Sequence, residues 1–109
     1  MTPDRGQIVW VNFNPQRGHE QAGRRPALVV SPAMYNTISN CVLVCPITSN
    51  IDPWPWKVLL PDDTAITGAV LVDQIKSIDA KARQLEDSGH SLDPALMADI
   101  LARLATLTG

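Results

Sequence analysis

Three short segments of the chain carry residue types suited to chemistry on a phosphate. Arg25 stands directly before Pro26, where a polar stretch gives way to Ala27-Leu28-Val29-Val30-Ser31. An arginine guanidinium keeps its charge in any working buffer and grips a phosphate through two parallel hydrogen bonds. The same fork can stabilise the extra negative charge of a pentacoordinate phosphorus. The residue before a proline is biased toward extended backbone, which partly fixes the direction of Arg25. Its other reading is a strand-end cation that keeps an edge soluble. Thr48-Ser49-Asn50 follows an apolar run and could hold a phosphate oxygen, although the same three types also form ordinary turns. Asp73-Gln74-Ile75-Lys76 repeats the arrangement, with two hydrogen-bonding residues and a cation after a second apolar run.

Between Gly18 and Gly23 lie His19, Glu20 and Gln21. Histidine and glutamate are side-chain types that accept and return protons, yet a lone loop histidine is more often only exposed. Trp54-Pro55-Trp56 sits in a second polar stretch, and no apolar stripe claims these indoles. They could stack on unpaired bases, or cover a barrel end or a subunit contact.

The elements that must position these residues are short. Gln7 to Phe13 alternates after Ile8 and reads as a first strand. Residues 14–24 form a connection longer than a hairpin needs. A second strand is expected over Ala27 to Ser31, and Ala33 to Asn36 gives one helical turn or a wide bend. Cys41 to Thr48 is apolar on both faces, as in the central strand of a covered sheet, with Pro46 implying an edge or a bulge. Further strands are expected over Trp56–Leu60, Gly68–Asp73, Ile75–Ile78 and, last, Ala82–Leu85. The tail differs in kind. Asp93-Pro94 supplies an N-cap carboxylate and a proline fitted to the first helical position. Leu96, Met97, Ile100, Leu101, Leu104 and Leu107 then recur on one helical stripe. The fold class expected is mostly β with a C-terminal α-helix, a small SH3-like barrel.

The 109 residues suit one domain spanning positions 1–109, since two cores would not fit. Nine cations against eleven acids give a net charge of −2, which argues against a protein coated in basic residues to wrap nucleic acid. The cations are nonetheless uneven, with Arg5, Arg17, Arg24 and Arg25 in the first quarter. No apolar run reaches the ~20 residues of a membrane helix, so no membrane association is expected. Cys41 and Cys45 would lie roughly 13 Å apart along a strand, too far to bridge. They suit a reducing cytoplasm. Neither His19 nor His90 has a thiol or second imidazole at ligand spacing, so no metal and no cofactor are expected.

Four segments in order, Gly6-Gln7-Ile8-Val9-Trp10-Val11, Gly18-His19-Glu20-Gln21-Ala22-Gly23-Arg24-Arg25-Pro26, Cys45-Pro46-Ile47-Thr48-Ser49 and Asp73-Gln74-Ile75-Lys76-Ser77-Ile78, closely resemble the MazF/PemK family of toxin endoribonucleases. The resemblance runs from Gly6 to the terminal helix. It implies the barrel fold shared with CcdB, a homodimer, and sequence-specific, metal-independent cleavage of single-stranded RNA. It also implies a MazE-like antitoxin whose acidic C-terminal segment blocks the RNA groove. Carried over by position, Arg25 and Thr48 are the catalytic pair. His19, Glu20, Gln21, Ser49, Asp73, Gln74 and Lys76 become RNA contacts. The PemK branch places an arginine two positions before its aspartate, where this chain has Leu71, and that departure favours the Arg25/Thr48 assignment. Two other functions remain open. A CcdB-like toxin poisons gyrase through its C-terminal region and relies on terminal aromatic residues, which Leu104 to Gly109 lacks. A plain SH3-like interaction module would leave the Arg25 and Thr48 motifs unused.

Overall fold

The computed structural model describes residues 2–13, 23–62 and 64–109. Its strands are β1 (Gln7–Asn12), β2 (Arg24–Val29), β3 (Cys41–Thr48), β4 (Lys57–Leu59), β5 (Ala69–Leu71), β6 (Lys76–Asp79) and β7 (Glu86–Ser91). Helix α1 (Ala33–Ser39) joins β2 to β3, a single 3-10 turn (Val72–Gln74) joins β5 to β6, and α2 (Pro94–Thr108) closes the chain. All strand pairs are antiparallel, in the order β4-β5-β3-β2-β1-β7, with β6 also paired to β3.

Period-two alternation gives this sheet two apolar faces. Ile8, Leu28, Val30, Cys45 and Ile47 point to one, where Met97 and Ile100 of α2 join them. Val9, Val11, Ala27, Val29, Val42 and Val44 point to the other with Phe13 and Ile78. This is why β3 carries apolar residues on both sides. Helix α2 starts as its sequence dictates, with the Asp93 carboxylate accepting the Ala95 N–H at 3.1 Å and Pro94 in the first turn. Its stripe is centred on Met97 and Ile100, which are buried. Leu96, Leu101 and Leu104 flank them half-buried, and Leu107 is 44% exposed.

Three expectations need correction and a fourth is narrowed. Strand β2 begins at Arg24, so Arg25 and Pro26 lie inside it, opposite Val11 and Trp10 of β1. The stretch at 33–36 is a seven-residue helix, ended by Asn40 in the left-handed conformation at φ 59°. Residues 82–85 form a turn, and the last strand is β7, whose Glu-Asp-Ser-Gly-His-Ser sequence shows no apolar alternation. It holds its place by pairing with β1 across a bulge at Ile8/Val9. There the Ser88 hydroxyl donates to the Ile8 carbonyl, 80 positions away in sequence. Finally, Pro46 marks a local unpaired edge within a central strand and not an outer edge of the sheet. Leu43 turns its carbonyl to Val30 and its N–H to the Ser31 hydroxyl, both on the β2 side. Alternation therefore points the Pro46 nitrogen the other way. On that side β6 has ended opposite Val44 and β5 begins opposite Ile47, so no partner requires a donor there.

Cys45 is buried and Cys41 half-buried. Burial pushes the Cys45 thiol from 9.0 up to about 12, with the nearby Asp73 carboxylate adding to the shift. A raised thiol favours the folded state below about pH 9 and withdraws that support as pH climbs toward about 12. Thermal unfolding midpoints measured across that window should fall more steeply for the wild type than for Cys45→Ala. Equal slopes would show that the thiol is not desolvated.

Candidate RNA-cleaving site

Thr48 is the last residue of β3 and one of three buried polar residues among those described, beside Ser31 and Asn36. Ser31 and Asn36 are held by each other and by nearby backbone groups: the Asn36 amide donates to the carbonyls of Pro3 and Ser31 at 2.8 and 3.1 Å. Thr48 is placed differently. Its hydroxyl oxygen accepts the Asn50 N–H at 3.1 Å, which shapes the turn leaving the strand. An oxygen that accepts such a bond still has its own proton to donate. The turn and phosphate readings of Thr48-Ser49-Asn50 are therefore compatible. Gly68 packs behind the strand end at φ +122°, and a Cβ there would stand 2.2 Å from the Thr48 carbonyl oxygen. Only glycine permits that approach.

The β2–β3 register pairs Ala27 with Pro46. The ladder closes there, and Arg25 and Thr48 each lie two residues beyond that last pair. Arg25 shares a face with Ala27 and Val29, and Thr48 with Val42 and Val44, which all line the second apolar cluster. The two candidate catalytic residues thus stand at adjacent strand ends on one face of the sheet. Lys76, opposite Val44, joins that face, with its ammonium 5.8 Å from the centroid of the buried Phe13 ring. Arg24 has a separate task. It forms an ion pair with Glu86 at 2.9 Å and donates to the Gln84 carbonyl at 3.1 Å, tying β2 to the turn before β7.

Beside Thr48 lies a hollow of about 280 Å³ lined by Thr48, Asn50, Trp54, Lys57, Asp73 and Gln74. Asp73 and Gln74 belong to the 3-10 turn, which leaves β5 just where β3 changes partners. The Trp54 indole N–H donates to the Asp73 carboxylate at 3.0 Å. The Lys57 ammonium donates to the Asp52 carbonyl at 2.8 Å, and the Asp52 N–H donates to the Asn50 side chain at 2.9 Å. The loop that carries both tryptophans is therefore built into the wall of the hollow.

The structure brings Thr48, Asp73 and Gln74 together and sets Arg25 and Lys76 on the face of the sheet that Thr48 shares. It turns Ser49 toward a neighbouring hollow of about 270 Å³ with Ile51 and Leu59. His19, Glu20 and Gln21 lie outside the described residues. Asn50, read together with Thr48, lines the hollow as well, whereas Lys57 was missed as a wall residue, and so was the pairing of Trp54 with Asp73. A separation of 19 positions leaves no local signal for such a pair. A separate hollow of about 620 Å³, lined by Ile8, Thr64, Ile66, His90, Leu92 and Leu96 among others, contains none of the candidate residues. Among the described residues no group of three His, Cys, Asp or Glu could share a metal ion. Among the same residues no helix is long and apolar enough to cross a membrane.

Comparison with known proteins gives this geometry a context. The chain is 39% identical over 107 residues to the endoribonuclease toxin MazF of Escherichia coli K12, covering 98% of this chain and 95% of that one. The crystal structure of MazF from Deinococcus radiodurans superposes with a TM-score of 0.93 at 41% identity, covering 100% of this chain and 98% of that one. A MazE–MazF crystal structure from the same organism gives 0.89 at 38% identity, with 100% and 98% covered. The family model described as the PemK-like, MazF-like toxin of type II toxin–antitoxin systems matches residues 4–108, and the chain belongs to that family.

Proposed function

We propose that this protein is a toxin endoribonuclease that cuts single-stranded RNA at particular sequences without a metal ion. The observation that carries the reading is the placement of Arg25 and Thr48 at adjacent strand ends on one sheet face, in a chain whose relatives are named endoribonucleases. The nearest nucleophile to an RNA phosphodiester is its own 2′-hydroxyl, so attack is intramolecular and needs no bound water. In-line attack forms the bond from the 2′-oxygen to phosphorus. The bond to the 5′-oxygen breaks, leaving a 2′,3′-cyclic phosphate and a 5′-hydroxyl.

In this scheme the Arg25 guanidinium faces the charge that grows on the non-bridging oxygens, where a fixed cation lowers the barrier most. The Thr48 hydroxyl donates to one of those oxygens. Asp73, Gln74, Lys76 and Ser49 contact the RNA around them, and His19, Glu20 and Gln21, between β1 and β2 in sequence, are assigned as further RNA contacts. A chain with net charge −2 needs base contacts as well as phosphate contacts, and unpaired bases offer their edges and faces.

The same reading gives the chain a MazE-like antitoxin partner with an acidic C-terminal segment, drawn to the cations around the site. It also gives a homodimer and a cytoplasmic site of action. The curated relatives are named for RNA cleavage, which disfavours the gyrase-poisoning alternative.

Incubation of purified protein with RNA in excess EDTA should leave cleavage intact. Sequencing the new ends should find 5′-hydroxyls at recurrent short sequences. Loss of cleavage under EDTA, restored by magnesium, would overturn the mechanism.

A further inference from the structure

The loop carrying Trp54 is held from the far side by the C-terminal helix. Arg103 of α2 donates through one guanidinium nitrogen to the Pro55 carbonyl at 2.5 Å, while its Nε meets the Asp99 carboxylate at 3.0 Å. One turn further along, the Thr106 hydroxyl accepts the Trp56 indole N–H at 2.9 Å and donates to the Arg103 carbonyl at 2.7 Å. Trp56 is half-buried against the core, and the Trp54 ring lies 5.4 Å from it at a 58° tilt. Trp54 is 49% exposed, with its only polar atom committed to Asp73. Its π-face is what it has left to offer.

We propose that Arg103 and Thr106 are positioning residues that hold Trp54 as a stacking platform for one unpaired nucleobase beside Thr48. This rests on the RNA-cleaving reading above. Three facts support it together. The hollow of about 280 Å³ is just below the range of about 300–1,000 Å³ that holds a drug-sized ligand, which suits one base better than a folded nucleic acid. An exposed indole whose N–H is already bonded recognises a flat ring and not a specific edge. Finally, the surface loop is held from two sides, by Trp54 to Asp73 beside the hollow and by Arg103 and Thr106 of α2 to Pro55 and Trp56, so the helix clamp helps to set its height. A base stacked there would fix the RNA backbone at the adjoining strand ends, where Arg25 and Thr48 stand.

The test is steady-state cleavage of a mixed-sequence single-stranded oligoribonucleotide by the full chain. Trp54→Ala should raise KM roughly tenfold or more, the usual size of a lost base–aromatic stack, and lower kcat far less. Trp54→Phe should restore most of the loss. Arg103→Met removes an exposed ion pair that contributes little to stability. Its unfolding temperature should stay within a few degrees of wild type, while KM rises toward the Trp54→Ala value and the tryptophan emission shifts. Arg103→Lys, which can still reach the Pro55 carbonyl, should recover part of the effect. The double variant Trp54→Ala/Arg103→Met should be no worse than Trp54→Ala alone, because both act through one platform.

An unchanged KM for Arg103→Met, or fully additive losses in the double variant, overturns the clamp while wild-type cleavage leaves the RNA reading standing. Wild-type protein that cuts no RNA overturns both. If Trp54→Ala leaves KM for RNA unchanged and weakens only binding of an acidic antitoxin peptide, the platform belongs to a protein partner and the inference fails.

Discussion

Arg25→Ala should reduce RNA cleavage by a few hundredfold while the barrel stays folded. The size follows from removing one preorganised charge at the point where negative charge develops, a loss of about 3–4 kcal/mol in transition-state stabilisation. The fold should survive because Arg25 holds β2 to β1 through its backbone, opposite Val11, and its side chain is only half-buried. Thr48→Ala should cost less, about tenfold, since a neutral hydroxyl contributes on the order of 1 kcal/mol net through its hydrogen bond. Thr48→Ser should retain much of the activity because it keeps the donor. Initial cleavage rates together with thermal unfolding decide the matter. Wild-type rates in well-folded Arg25→Ala and Thr48→Ala proteins would show that the chemistry lies elsewhere.

Ile100→Asp should leave little folded protein. Ile100 is fully buried between α2 and the sheet, within the cluster built from Ile8, Leu28, Val30, Cys45 and Ile47. No charged side chain is buried among the described residues, so a carboxylate there must either stay unpaired or take up a proton at a cost of several kcal/mol. A domain of this size has about 5–15 kcal/mol in total. Ile100→Ala should be milder, destabilising by about 2–5 kcal/mol through the cavity it leaves. Leu107→Asp, near the exposed end of the same stripe, should change the denaturation midpoint little. Chemical denaturation of the three variants would expose any error: equal effects at positions 100 and 107 would mean that α2 is not docked as described.

The parts of the molecule that were legible in the sequence are those where burial writes a pattern. Strand β3 matched its expected span of Cys41–Thr48 because both of its faces are covered, which demands an unbroken apolar run. Helix α2 declared itself through Asp93, Pro94 and the 3.6-residue stripe. Strand β7 left no such trace. It is an edge whose side chains mostly face water, and its place depends on backbone pairing with β1, which any sequence could make, and on the Ser88 hydroxyl. Helix α1 was read too short for a related reason: Met34 and Ile38 are 75% and 78% exposed, so its apolar residues do not mark a buried side.

The site divides in the same way. Arg25, Thr48 and Asp73 could be singled out because the sequence shifts there between polar and apolar runs, although Arg25 proves to lie just inside β2. Their company could not be read. The strand pairing that brings Arg25 and Thr48 within two residues of one β2–β3 pair, and the bond from Trp54 to Asp73, arise from folding together segments that are distant in the chain.

The pairing of β1 with β7 has a consequence in time. The first strand to leave the ribosome cannot find its outer neighbour until Ser88 has been made, 80 residues after Ile8. At about 5–20 residues per second that is a wait of roughly 4–16 seconds. Meanwhile β1, β2 and β3 can associate, but the edge of β1 stays open and α2, which seals one apolar face, does not yet exist. Through that interval the nascent domain stays an unfinished sheet, open along β1 and bare on the face that α2 will cover.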